Sequence, residues 1–96
     1  MYSVVRTYSG PNAKALFDVL EKNKADVEAT LRAVKGLITY SATRTAEGGI
    51  TVTVCADKAG ADESVRVARE WVQKNAANIG AAPPAITEGQ AVVLIK

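Results

Sequence analysis

The chain reads as an α+β domain with the element order βαββαβ: a four-stranded antiparallel sheet with two helices on one face. Three observations predict it. Two β-branched runs in the middle of the chain are joined by a short glycine-bearing connection. Stretches with apolar residues at helical spacing flank that pair on both sides. Strand-like segments lie near the two ends. At 96 residues the chain holds one domain, residues 1–96, with a modest core.

Residues 2–8, Tyr-Ser-Val-Val-Arg-Thr-Tyr, have the β-branched and aromatic content of a strand. Ser9-Gly10-Pro11-Asn12 ends it. The locked φ of Pro11 suits the start of a helix, and Asn12 or Ser9 is placed to cap it. Leu16, Leu20, Val27, Leu31 and Val34, with Val19 alongside, mark one apolar face over residues 12–34. A bend is expected near Asn23-Lys24. Glu28 and Arg32 form an i,i+4 pair on the outer face, and Gly36 stops the helix.

Residues 37–45 and 49–56 follow as a hairpin around Glu47-Gly48-Gly49. Both strands alternate. Ile38, Tyr40 and Ala42 oppose Thr39, Ser41 and Thr43; Ile50, Val52 and Val54 oppose Thr51, Thr53 and Cys55. The aliphatic sides are expected to meet the helices, leaving a threonine-rich face open. Asp57 is placed to cap a second helix over 59–77. Its buried stripe is Ala61, Val65, Ala68, Val72 and Ala76, with Trp71 beside it. Asp62–Arg66 and Glu70–Lys74 are its outer pairs. Residues 78–87, with Gly80 and Pro83-Pro84, read as a loop. Residues 88–95 read as a buried final strand. A second sheet packed on the open face is the simplest way to cover it, and a homodimer supplies one.

Composition narrows the chemistry. A net charge of +2 with dispersed lysines and arginines is not the basic stripe of a nucleic-acid binder. No apolar run approaches the roughly 20 residues that span a bilayer. Met1-Tyr2-Ser3-Val4-Val5-Arg6 has no signal-peptide pattern, so the cytoplasm is the expected location. The single cysteine, Cys55, forms no internal disulfide and reads as a small buried hydrophobe. With no histidine there is no Ser-His-Asp triad, no Cys-His pair and no His-ligated zinc or haem. No metal site is expected. The open-face residues of the third strand include no aromatic platform for RNA bases.

Val34-Lys35-Gly36-Leu37-Ile38-Thr39-Tyr40 resembles the "x-P-G-F-x-x-Y" start of the second strand in the dimeric α+β barrel proteins, the antibiotic biosynthesis monooxygenase-like superfamily. Val54-Cys55-Ala56-Asp57-Lys58-Ala59-Gly60-Ala61-Asp62-Glu63-Ser64, then Trp71-Val72, is similar to the "V-F-E-D-x-A-G-A-E-E-S … W-V" segment of small uncharacterised members. The chain departs from these patterns at Lys35, where proline is usual, and at Leu37 and Cys55, where phenylalanine is usual. The resemblance implies a ferredoxin-like α+β fold, a dimeric α+β barrel closed by two sheets, and a homodimer. For activity it implies cofactor-independent oxygenation of a phenolic or quinol molecule, or no assigned activity at all. Haem-degrading members use an asparagine on the first strand, a tryptophan on the second helix and a histidine. Of these only the tryptophan has a counterpart, Trp71, so haem degradation of that type is not expected.

Three residues are candidate ligand-binding groups. Trp71 either lines a pocket between helix and sheet or fills the core. Tyr40, like Tyr8, either orients a phenolic ligand or packs in the core or dimer interface. Arg6 lies inside an otherwise apolar strand. It either binds an anionic substrate group or stabilises an enolate, or else pairs with a glutamate across the dimer or sits at an exposed edge. Asp57 and Glu63 read as helix-start residues rather than a catalytic pair. Two functions compete: a small-molecule-binding or oxygenating homodimer needing no cofactor, and a non-catalytic structural homodimer.

Overall fold

The central hairpin sets the sheet. In a computed structural model describing residues 1–96, β2 (Leu37–Thr45) and β3 (Gly48–Cys55) pair antiparallel, with a register shift between Leu37 and Thr39. β1 (Tyr2–Tyr8) pairs with the other side of β3, from Tyr2 opposite Cys55 to Tyr8 opposite Gly49. β4 (Ala85–Gln90) closes the far edge against β1, giving the order β2-β3-β1-β4. The fold is the expected ferredoxin-like α+β arrangement.

The first helical segment divides where the bend is expected. α1 (Ala13–Lys22) and α2 (Lys24–Arg32) meet at Asn23, whose backbone leaves helical geometry at φ −117° and ψ 28°. Its side-chain amide donates to the Val19 carbonyl at 2.8 Å and closes the last turn of α1. Asn12 precedes α1 but makes no capping bond; its amide donates instead to the Gly80 carbonyl at 3.2 Å. α3 (Lys58–Asn75) does start on a side-chain cap, with the Asp57 carboxylate accepting from the Gly60 N–H at 2.9 Å. Asp57→Ala is therefore expected to cost about 1 kcal/mol. In a thermal melt that is a drop of roughly 4–8 °C. An unchanged melt would show that the cap contributes nothing.

The core is built in three patches. Tyr8, Ala13, Leu16, Phe17 and Ala76 cluster under α1. Val4, Cys55 and Ala61 meet between β1, β3 and α3. Val27, Leu31 and Trp71 join α2 to α3. Phe17 lies outside the stripe read from the helical spacing, and it is only 4% exposed because its ring lies over Gly49.

Three expectations are corrected. The sides of β3 are reversed: Thr51, Thr53 and Cys55 are almost fully buried towards the helices, while Ile50, Val52 and Val54 take the open face. Register explains it. Thr51 lies opposite the inward Arg6, whose guanidinium needs a hydroxyl acceptor, and Thr53 lies opposite the inward Val4. β2 keeps its expected sides, with Tyr40 level with Thr53, and with Thr39 and Ser41 flanking on the open face. The open face is thus aliphatic along its centre, with Val5, Ile50 and Val52, and hydroxyl-rich along β2.

The final strand is Ala85–Gln90 and not 88–95, and it is largely exposed. Tyr2 pairs with Gln90, and the Ala91 N–H reaches Met1 O at 3.0 Å; there β1 runs out. Val92, Val93 and Ile95 stand 95%, 79% and 88% exposed. The outer pairs of α3 also shift: Arg66 bonds Glu63 and Glu70, and Asp62 pairs with Lys58.

Candidate functional site

Between α1, α2 and edge strand β2 runs an open groove of about 740 Å³. Its floor and walls include Leu20, Val27 and Leu31 from the helices and Leu37 and Tyr40 from β2. The break at Asn23 turns α2 so that its apolar residues face the edge strand. Charges rim the groove and are mostly paired. Arg44 holds Asp18 at 3.0 Å and Glu21 at 2.7 Å, and Arg32 holds Glu28 at 2.8 Å. Lys24, also on the rim, is in no ion pair.

Behind the groove lies a cavity of about 20 Å³. Leu20, Val27, Leu31 and Tyr40 line both spaces and form the partition. The cavity brings Arg6, Tyr40 and Trp71 together, with Tyr8, Leu16 and Thr51 around them. The three candidate residues come from β1, β2 and α3.

Arg6 is 3% exposed, and its Nε donates to Thr51 Oγ1 at 2.9 Å. No carboxylate of the chain pairs with it, and it also bears on the Tyr40 hydroxyl as a hydrogen-bond neighbour. It does not sit at an exposed edge. Trp71 is buried, and its Nε1–H donates to Asp26 Oδ2 at 2.7 Å, tying α3 to α2. Burial pushes the Tyr40 phenol above its ordinary range, and the nearby Arg6 charge offsets part of that shift. Tyr40 therefore stays a neutral hydrogen-bond donor across the physiological range. Tyr8 packs edge-on against Phe17, with ring centroids 5.7 Å apart.

Other polar groups stand apart from this cluster. Cys55 is fully buried, and burial, with the Asp57 charge adding to it, pushes the thiol up, away from the reactive thiolate. Asp57 is occupied as a cap and Glu63 with Arg66. Ser64 donates to the Ala61 carbonyl at 2.6 Å as a packing residue. Nowhere do three or more acidic or cysteine side chains gather as a metal site would require. No helix is long and apolar enough to cross a membrane.

Sequence reasoning missed two members of the site. Asp26 looks like any exposed acid in the first turn of a helix, and its bond to Trp71 is non-local. Thr51 was placed on the open face. The only signal for it is the strand register, which puts its hydroxyl beside Arg6.

Fold and site together define a ferredoxin-like α+β domain with a groove between its helices and an edge strand. No family model and no curated protein matches the sequence. Solved structures share the fold over nearly the whole chain. A protein of unknown function from Nitrosomonas europaea is 20% identical, covering 99% of this chain and 91% of its own, with a TM-score of 0.72. A heme-degrader from Mycobacterium tuberculosis, with two hemes in its active site, is 16% identical, covering all of both chains, with a TM-score of 0.69. A monooxygenase from Streptomyces coelicolor, in complex with nanaomycin D, is 12% identical, covering 99% of this chain and 91% of its own, with a TM-score of 0.62. The fold is thus shared with antibiotic biosynthesis monooxygenase-like and heme-degrading proteins.

Proposed function

We propose that this chain is a homodimeric protein that binds a small aromatic molecule in its groove and oxygenates it without a cofactor. The observation that carries this reading is an apolar groove backed, across one layer of side chains, by a cavity holding Trp71, Tyr40 and Arg6. The monooxygenase of the same fold, in complex with nanaomycin D, supports it.

The chemistry is self-balancing. A phenol and one dioxygen give a quinone and one water. One oxygen atom enters the ring. The other leaves as water with the displaced ring hydrogen and the phenolic proton, and the ring supplies the electrons. The chain's part is to strip water from the ring and hold it in place. Tyr40 is placed to orient an oxygen of the ligand, and Arg6 to stabilise negative charge developing on it.

The homodimer follows from surface that one copy leaves uncovered. Val5, Ile50 and Val52 run along the open face, and in the tail beyond Gln90 the side chains of Val92, Val93 and Ile95 stand exposed. A second sheet laid on this face buries both.

A second reading, a non-catalytic homodimer, is favoured by the tight packing of Trp71 and the small size of the cavity. Dioxygen uptake with a panel of simple phenols and hydroquinones, run with wild type and Trp71→Phe, separates the two. Uptake by wild type, reduced in a folded Trp71→Phe, is the expected result. No turnover and no binding across the panel, with Trp71→Phe costing stability alone, would establish the second reading.

A further inference from the structure

We propose that the groove selects aromatic monocarboxylates, with the carboxylate seated on the Nη groups of Arg6 in the small cavity behind Tyr40. The inference rests on the aromatic-binding reading above and adds the charge and size of the ligand's head.

Arg6 is the starting point. A guanidinium offers five donors in a rigid fork, and burying it without a counter-charge is unfavourable. Here Nε is used on Thr51, the guanidinium also neighbours the Tyr40 hydroxyl, and the group is 3% exposed with no carboxylate partner from its own chain. The Nη edge, which lacks a counter-charge, matches the two oxygens of a carboxylate.

Cavity size limits the anion. About 20 Å³ holds one or two water-sized groups. A planar carboxylate is the smallest organic anionic head and suits that space. The remaining lining is largely apolar, with Leu16, Trp71 and Val72 among it, so the ion pair forms where water does not weaken it.

The rest of the ligand is set by the partition. Leu20, Val27, Leu31 and Tyr40 face both spaces, so a head on Arg6 is joined to a ring between the apolar walls of the groove when this one-residue-thick partition parts. A flat ring suits those walls. At the rim, Arg44 is shared by Asp18 and Glu21 and Arg32 pairs with Glu28, so with Lys24 the charges balance and the anion preference rests on Arg6 alone.

Calorimetric titration of the full chain at pH 7 with a naphthoate and with the matching neutral naphthamide tests this. Wild type is expected to bind the naphthoate roughly ten- to a hundredfold more tightly. Arg6→Gln should abolish that preference, lowering naphthoate affinity far more than naphthamide affinity, and Arg6→Lys should restore it in part. Equal affinities in wild type would overturn the carboxylate site while leaving the aromatic-binding reading standing. Binding of neither, nor of any neutral phenol, would overturn both. A preference that survives in folded Arg6→Gln would overturn the assignment to Arg6. Should that variant fail to fold, the wild-type comparison and a fall in naphthoate affinity as pH drops through the ligand's own carboxyl pKa decide the question.

Discussion

Gly49→Ala is expected to destabilise the fold by about 3 kcal/mol. For a domain of this size that lowers the melting temperature by roughly 12–24 °C. A Cβ built on Gly49 would stand 2.3 Å from Cε2 and Cζ of Phe17. The ring has little room to retreat: it is 4% exposed and held edge-on by Tyr8, itself opposite Gly49 in the sheet. Next door, Gly48 runs close to β1: at its φ of +155° a Cβ would stand 2.5 Å from the Tyr8 carbonyl oxygen, so this end of the hairpin is packed tightly on both residues. Phe17→Leu in the Gly49→Ala background should recover part of the loss. Urea unfolding of the two variants and the pair checks this. A loss below about 1 kcal/mol for Gly49→Ala, typical of an ordinary mutation, would mean that the ring moves aside and that the contact does not fix the position of α1.

Val52→Asp is expected to convert the proposed dimer into a folded monomer. Val52 is half-buried on the open face, midway along β3, where a partner's sheet would cover it. An unpaired carboxylate enclosed there costs several kcal/mol per copy. Dimer affinity should fall by roughly a thousandfold or more. In a single chain the same aspartate stays in contact with water, so the monomer keeps its fold. Light scattering over a dilution series reads the result: twice the chain mass of 10.1 kDa for wild type and the single mass for the variant. Removing residues 91–96 should weaken association in the same direction. A wild type that stays monomeric at every concentration would remove the homodimer and leave the open face as surface for another partner.

Most of the architecture was legible in the sequence, because the relevant signals are local. The Asp57 cap, the bend at Asn23 and the glycine-bearing hairpin each follow from a few adjacent residues. What failed is non-local. Alternation shows that β3 has two different sides but not which one faces the helices. Threonine tolerates burial when its hydroxyl has a partner, and Arg6 across the register supplies one for Thr51. The apolar run after Gln90 signals burial without saying against what, and the pairing partner in its own chain ends at Met1. Phe17 is buried because a distant glycine leaves room for its ring. For the site, Arg6, Tyr40 and Trp71 meet because the topology brings β1, β2 and α3 to one interior. Their union was foreseen, and the holding bond from Asp26 was not.

The break at Asn23 sets the order in which parts of this molecule come loose. α2 has nine residues, fewer than an isolated helix needs to persist in water. Its order is borrowed from Val27 and Leu31 on one side and from the Trp71–Asp26 bond on the other. The groove wall is therefore a small cooperative unit of its own, able to open at a fraction of the free energy that unfolds the sheet. The aromatic guest proposed above would reach the interior by this partial melting and, once seated, would return the order that α2 lacks alone. Under that proposal, occupancy of the groove and helicity of α2 are two readings of one equilibrium.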